Sequence, residues 1–402
     1  MSSKLRLGIV GAGAVVREIY QHLYFRSEYS SLLEICAVAE PNEEYRNWFG
    51  DLAGLPAPRR FTSYSEMLAK VELDVVQVNT PDHLHCAPTV AALEAGLDVI
   101  VPKPTAAATS DAHAMVQAAR KHRRFLGIDF HKREDPRLKE AQARFQSGRY
   151  GAFQAGIFYM LDKLLVADPN YQPRFFASAD FAARNSPVSF LGVHMADALM
   201  QIVRLRPVQV RATGYAHKLP SLQPQPVDGY DLVDTEIVFD SGAQAHILTG
   251  WALPNTAWAT TVQSGRLICS EGLIDLQLDM PGLREIHAEG VIEANPLFRN
   301  FEPDGTVSGY GITSPGRLYQ RVLARRNGQL TDQALDALLD PMKLGFYTTL
   351  VLEAAERSLA DGKLLPNRTR VGITIDVRDL MAKELGQAAA ADYGMPAIHL
   401  CG

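Results

Sequence analysis

The stretch Leu5-Arg6-Leu7-Gly8-Ile9-Val10-Gly11-Ala12-Gly13-Ala14-Val15-Val16 decides how the chain reads. A short apolar strand runs into a Gly-x-Gly turn. Beyond it Val15, Ile19 and Leu23, with Val16, Tyr20 and Tyr24 beside them, recur at helical spacing. Strand, glycine turn and helix together suit the pyrophosphate of a dinucleotide. Gly11 permits the tight turn, Gly13 lets the backbone approach the phosphates, and the helix start at Ala14 and Val15 offers amides and a positive dipole end. Val16 stands where the usual third glycine would be. The weight of the turn therefore comes from its place as the first strand-to-helix turn of an alternating chain. Glu40 closes a second predicted strand over 33–39, where a carboxylate would accept hydrogen bonds from the adenosine ribose and repel a 2′-phosphate, favouring NAD over NADP. The plain alternative is a loop that only turns and a glutamate that only solubilises.

Working outward, short apolar strands are expected at 74–79, 98–101 and 125–130. Helices are expected near 84–95, stopped by Gly96, and near 110–122, and Ser63 with Glu66 has capping-box spacing. This alternation predicts a doubly wound parallel sheet, a Rossmann domain over 1–130. From 131 the rhythm changes. A helix near 137–147 and a strand near 152–160 precede a long polar loop at 162–187 and a helix over 189–204. Runs at 207–213, 232–239, 243–251, 257–263, 266–270 and 273–278 are then joined by turns such as Asp240-Ser241-Gly242. They predict a mostly antiparallel sheet, so 131–402 reads as an α+β domain. Residues 281–315 read as irregular, and helices return near 331–339 and 342–361.

The chain has 402 residues, with 40 Lys and Arg against 45 Asp and Glu and a formal net charge of −5. A near-neutral chain without a basic block argues against nucleic acid or an anionic membrane as partner. No apolar run reaches the roughly 18 residues of a bilayer span. Residues 1–4 lead into the first strand without a signal-peptide pattern. Cys36, Cys86, Cys269 and Cys401 are scattered, which fits reduced thiols in a cytoplasm. His83 and His85 form a pair without an apparent third ligand, so no metal is expected.

In order along the chain stand Gly11-Ala12-Gly13, Glu40-Pro41, Thr80-Pro81-Asp82-His83-Leu84-His85, Val101-Pro102-Lys103-Pro104, Arg133 and Pro136, and Gly192-Val193-His194-Met195-Ala196-Asp197. This ordered set resembles the Gfo/Idh/MocA oxidoreductase family, which includes glucose–fructose oxidoreductase and inositol dehydrogenases. The resemblance covers roughly residues 5–365 and leaves the tail from about 366 unmatched. It implies an N-terminal Rossmann domain and a C-terminal domain on a large open sheet, which presents the substrate side and makes a homodimer or homotetramer interface. It also implies that Lys103 sits by the nicotinamide and the reacting hydroxyl and that His194 is the general base. Thr80 and Pro81, with His85, would hold the cofactor's nicotinamide half. The chain departs from the family pattern twice: Pro102 replaces the Glu before the lysine, and Phe190 replaces the Asp four residues before the histidine.

The chemistry stands beside the resemblance. Oxidising a secondary alcohol needs a base near working pH, which histidine supplies, and a cation such as Lys103 to stabilise the developing alkoxide. On the helix 189–204, Phe190, His194, Asp197 and Gln201 share a mixed stripe suited to a cleft. Leu191, Met195, Ala198 and Ile202 share a core stripe. A half-buried His194 satisfied by Asp197 or a carbonyl, and a solvated loop Lys103, are the plain alternatives. Arg133, Tyr159, Lys163, Asn185, Asp197 and Trp251 join Lys103 and His194 as candidate substrate contacts. Asp162, Tyr171, Arg174 and His246 are further candidates for hydrogen bonds to a sugar. The expected function is an NAD-dependent dehydrogenase acting on a carbohydrate or cyclitol hydroxyl. An NAD-dependent glycoside hydrolase with transient redox and a non-catalytic cofactor or sugar sensor are the rivals.

Overall fold

The computed structural model describes residues 4–176, 178–279, 283–287 and 290–393, so Cys401 lies outside the described residues. The chain forms two compact units, each made of two segments. One gathers the residues up to Asp135 with Pro296–Phe346, the other Pro136–Asn295 with the residues from Tyr347 onward. The sequence reading, with a single boundary at 130, does not anticipate the returning segment 296–346.

In the first unit, β1 (Leu5–Val10), β2 (Leu33–Ala39), β3 (Arg60–Phe61), β4 (Val75–Val78), β5 (Asp98–Pro102) and β6 (Leu126–Asp129) form a six-stranded sheet. Every pairing is parallel and the order is β3-β2-β1-β4-β5-β6. Leu5, Leu7, Ile9, Val75, Val76, Val78, Val99, Ile100 and Val101 are wholly buried, as in a sheet covered on both faces. The strand order reverses between β1 and β4, so loops at the carboxyl ends diverge there and leave the crevice in which open α/β sheets bind ligands.

The helix after the glycine turn is not regular. It opens with a π turn, Val16–Tyr20, before Gln21–Arg26, and the wider turn rotates the apolar rows. Val16, Tyr20, Leu23 and Tyr24 face the core, while Val15 and Ile19 are half-buried. Ser63 does precede the helix Tyr64–Lys70, but its side chain makes no capping bond, and Glu66 pairs with Lys70 one turn on.

The second unit begins with the helix Pro136–Gln146 and contains β7 (Phe153–Lys163), β8 (Pro207–Tyr215), β9 (Leu232–Phe239), β10 (Gln244–Leu253), β11 (Thr261–Cys269), β12 (Gly272–Gln277) and a hairpin of β13 (Leu283–His287) and β14 (Gly290–Ala294). The expected strands at 257–263 and 266–270 are one, because β11 pairs with β7 from Thr261 to Cys269. Gly265 does not break the strand. A Cβ there would come 2.4 Å from the Phe158 ring, so this glycine makes room for a neighbouring aromatic residue.

The segment 281–315, expected to be irregular, carries that hairpin, then β15 (Asn300–Phe301) paired with β16 (Val307–Ser308), and the start of the helix Tyr310–Arg326. Gly311, Pro315 and Gly316 disguise this helix in the sequence. The two glycines are contact points, Gly311 under the Phe298 ring and Gly316 under the Tyr29 ring. After the helices Asp332–Leu338 and Phe346–Ala360 come β17 (Lys363–Leu364), β18 (Thr369–Val371) and β19 (Ile375–Asp376). The nine-stranded sheet runs β12-β11-β7-β10-β9-β8-β18-β17, with β19 also on β8. Only β7 and β10 pair in parallel, so the sheet is mixed and mostly antiparallel. Among the described residues no helix is long and apolar enough to cross a membrane.

Candidate active site

Gly11, Glu40, Thr80, Pro81 and Lys103 all follow the carboxyl ends of the first unit's parallel strands. The turn after β1 is held tightly. Gly11 has a φ of +86°, and a Cβ there would lie 2.8 Å from the Asn79 carbonyl oxygen. Its own N–H donates to the Ala39 carbonyl at 2.8 Å. Gly13 is the opposite case, because nothing lies within 4 Å of where its Cβ would be. Ala14 and Val15 begin the helical run just beyond. Glu40 joins the two loops: Oε2 accepts the Ala12 N–H at 2.9 Å and Oε1 the Asn42 N–H at 2.8 Å. An open space over a glycine turn, flanked by a helix start and a strand-end carboxylate, fits the pyrophosphate and ribose of a dinucleotide.

His85 requires a correction. Its ring is fully buried, with Nε2 3.0 Å from the Thr80 carbonyl and Nδ1 3.0 Å from that of Pro104. Burial holds its pKa below the usual histidine value, against the pull of Asp82 and the carbonyls. Both nitrogens face backbone carbonyls, of which the neutral ring donates to one at a time, so the buried His85 links the Thr80 and Lys103 loops and is not open to solvent. Lys103 is half-buried, and its N–H donates to the Asp129 carbonyl at 3.3 Å. The imidazole of His131 is held well below its usual pKa by burial, with the charges of Lys132 and Lys103 adding to the effect. The Arg133 guanidinium lies 4.2 Å over the Phe130 ring and donates to the Lys343 carbonyl.

Beneath these loops runs a buried polar network that the sequence reading missed. Asp129, at the end of β6, accepts from Tyr20 Oη at 2.8 Å and from Ser314 Oγ at 2.6 Å. Tyr319 donates to Gln77 Oε1, Gln77 to Asn79 Oδ1 at 3.0 Å, and Asn79 to the Gly11 carbonyl at 3.4 Å. Burial pushes Asp129 up to about 6, and the Tyr20 and Ser314 hydroxyls oppose that rise. The returning helix Tyr310–Arg326 supplies Ser314 and Tyr319, and its Arg325 meets Asp98 at 3.0 Å. These links explain why the segment belongs to the first unit. They join residues 185, 242 and 227 positions apart, beyond any local pattern. The available signal was the presence of Gln77, Asn79 and Asp129 at the ends of apolar strands.

The second unit holds His194, Asp197, Tyr159, Lys163, Asn185 and Trp251. His194 and Asp197 lie on the helix Val193–Val203, 7% and 2% exposed, and Thr348 Oγ1 stands 3.4 Å from the Asp197 carboxylate. In the stripe through His194, Phe190 and Gln201 are half-buried while His194 and Asp197 are buried, whereas Leu191, Met195, Ala198 and Ile202 are all buried, so the contrast between the two faces is present only at the ends of the stripe. Tyr159 and Lys163 are half-buried on β7, and the Asn185 side chain donates to the Phe181 carbonyl at 2.8 Å. Trp251 is not the exposed sugar contact expected from the sequence. At 1% exposure it offers no free stacking face, and it packs against Phe181 and Phe190 with ring centroids 5.9 and 5.7 Å away. Phe190, one turn before His194, also meets Phe176 and Phe181 at 5.7 and 5.0 Å. Where the resemblance expects an acid, this chain has a half-buried ring packed against the buried Trp251 cluster.

Fold and loops together define a dinucleotide-binding α/β protein with a second, mixed-sheet unit. Residues 5–130 match the GFO_IDH_MocA family, described as an oxidoreductase family with an NAD-binding Rossmann fold. This N-terminal segment, less than half of the chain, thus carries the NAD-binding Rossmann fold of that oxidoreductase family. Over 203 residues it is 28% identical to the D-glucoside 3-dehydrogenase of Escherichia coli (strain K12), covering 50% of this chain and 55% of that protein. Over 152 residues it is 28% identical to the inositol 2-dehydrogenase of Corynebacterium glutamicum (strain R), covering 38% and 44%. The matches thus span about half the length of these curated relatives. The structure of an inositol dehydrogenase homolog from Azotobacter vinelandii, complexed with NADH and myo-inositol, shares the fold with a TM-score of 0.70. The identity there is 19%, over 93% of this chain and 98% of that one.

Among the described residues no group of three or more His, Cys, Asp or Glu is gathered as a metal site, and Cys36, Cys86 and Cys269 are free.

Proposed function

We infer that the chain is an NAD-dependent dehydrogenase acting on a secondary hydroxyl of a carbohydrate or cyclitol. The observation that carries this reading is the gathering of the Gly11–Gly13 turn, Glu40, the Thr80–Pro81 loop and Lys103 at one edge of a parallel sheet, in a chain related to sugar and inositol dehydrogenases. In this reading the amides around Gly13, Ala14 and Val15 hold the pyrophosphate. Glu40 takes the adenosine ribose hydroxyls and disfavours a 2′-phosphate. The bound nicotinamide supplies the hydride acceptor. His194 takes the hydroxyl proton, Asp197 orients its ring, and the Lys103 ammonium stabilises the oxygen as negative charge develops. Arg133, Tyr159, Lys163 and Asn185 are the remaining candidates for substrate hydroxyls.

A homo-oligomer accompanies this reading. Ile157, Ile268 and Leu273 are 52%, 42% and 48% exposed on neighbouring strands β7, β11 and β12, beside the Arg266–Asp275 ion pair, a mixed apolar and charged face suited to a second copy of the sheet.

The test is NADH formation by purified protein with NAD⁺ and a panel of monosaccharides, sugar acids, inositols and simple glycosides. A signal with one group names the substrate class. The packing of the half-buried Phe190 against aromatic rings, in place of an acid, favours one second reading, a hydrolase that recycles its hydride. Glycoside cleavage without net NADH would select that reading. Silence of both assays in protein that binds NADH would leave a sensor.

A further inference from the structure

A cavity of the second unit, about 790 Å³, lies between the loop 216–230 and the turn that joins β17 to β18. Its walls include Pro220, Pro226, Tyr230, Leu364, Arg368 and Arg370. None of these residues enters the dehydrogenase reading. The volume lies in the range of small-molecule sites, roughly 300–1,000 Å³.

The walls are pre-organised. The buried Asp231 carboxylate accepts the backbone N–H groups of His217, Lys218 (2.6 Å) and Leu219 (2.7 Å). Val227 N–H donates to the Leu219 carbonyl at 3.0 Å, and the loop is stiffened by Pro220, Pro224 and Pro226. Tyr230 lies against Gly214, where a Cβ would come 2.5 Å from its ring, so a glycine in β8 gives the ring its place.

Two cations face this frame. Arg370 donates Nη1 to the Gly362 carbonyl at 3.1 Å, and neither it nor Arg368 makes an ion pair among the described residues. Arg368 holds a φ of 60° at the tip of the turn, closed by Leu365 N–H on Thr369 O at 2.8 Å. Asparagine or glycine would suit that backbone better, so the guanidinium is present at a conformational cost. The acids near Tyr230 are Asp228, which is exposed, and Glu356, which is half-buried and bonded to Ser186.

We propose that this cavity binds a small organic anion, a phosphate or carboxylate on a ring-sized body, with the anion on Arg368 and Arg370 and the ring against Tyr230 and the prolines. Guanidinium forks match both anions, and a tyrosine face with prolines suits a ring.

The test is titration calorimetry of the full chain, saturated with NADH so that the glycine turn does not compete. Phenyl phosphate and benzoate are the probes, and phenol and inorganic phosphate are the controls. Saturable binding is expected for at least one probe, tighter than for either control, and which probe binds identifies the anion. Arg370→Gln and Arg368→Asn should each weaken it about tenfold or more. Arg368→Asn keeps a residue that tolerates the left-handed backbone, so an unchanged melting temperature would separate lost binding from lost fold. Absence of saturable binding, binding unchanged in both variants, or inorganic phosphate bound as tightly as phenyl phosphate would overturn the proposal.

Discussion

In the first unit the candidate residues stand on loops at the ends of parallel strands, and each loop is short and wired to its neighbour: Ala12 to Glu40, Asn79 to Gly11, His85 to both Thr80 and Pro104. In the second unit His194 and Asp197 sit inside a helix buried almost all round, one turn from an aromatic core built on Trp251. A ligand site made by a strand–turn–helix unit can be read from spacing, because backbone geometry makes it. What side chains on a buried helix can do depends on what packs there, and Phe190, where the resemblance expects an acid, packs against aromatic rings.

The comparison can be broken most directly at His194. Under the dehydrogenase reading His194→Ala should lower kcat about 10²–10⁴-fold while NADH binding stays intact. Turnover retained at the parent rate would remove the histidine from the chemistry and leave the buried-helix role alone. Next in size, Trp251→Ala should destabilise the protein by about 3–5 kcal/mol, the cost of emptying a fully buried aromatic site. Denaturant unfolding measures it, and a loss below about 1 kcal/mol would mean that the cluster around Phe190 is not a core.

Asp129 sharpens the first unit. Its folded pKa of about 6 lies above the ordinary carboxylate value, so the folded state holds this proton to higher pH than the unfolded state does. That contribution is complete below about pH 4 and is lost as pH rises through 6, a fall of roughly 3 kcal/mol. Asp129→Asn lacks this titration, so the gap between variant and parent should change by that amount between pH 4 and pH 7. Parallel stability curves would show that the network leaves the acid unperturbed. The smallest effect is a contrast between two glycines. Gly13→Ala should leave the melting temperature unchanged and weaken NADH binding by about tenfold, whereas Gly11→Ala should lower both, with a backbone cost of about 1–3 kcal/mol. Equal melting curves for the two would refute the reading of the turn.

Much of the first unit is legible in the amino-acid sequence. The apolar runs and glycine turns place β1, β2, β4, β5 and β6, and Gly11, Glu40, Thr80 and Lys103 fall at strand ends as the alternation requires. The second unit is legible as a class, a mostly antiparallel sheet, but less so in detail. Gly265 reads as a break and is a seat for Phe158, and the helix Tyr310–Arg326 is hidden by Gly311, Pro315 and Gly316. Single-residue preferences misread these positions, because a glycine is placed there by a ring that arrives from elsewhere in the chain.

The sequence alone determined the strand–glycine–helix unit, the alternation that makes the sheet parallel and the carboxylate at the end of the second strand. These are local, since hydrogen bonding and hydrophobic period act over a few residues. Only the tertiary structure decided that 296–346 returns to the first unit, that Asp129 shares Tyr20 and Ser314, that His85 is buried between loops, and that Trp251 is core with the half-buried Phe190 packed against it. Those outcomes depend on buried polar groups finding partners and on apolar rings finding each other across tens to hundreds of residues, which no spacing records.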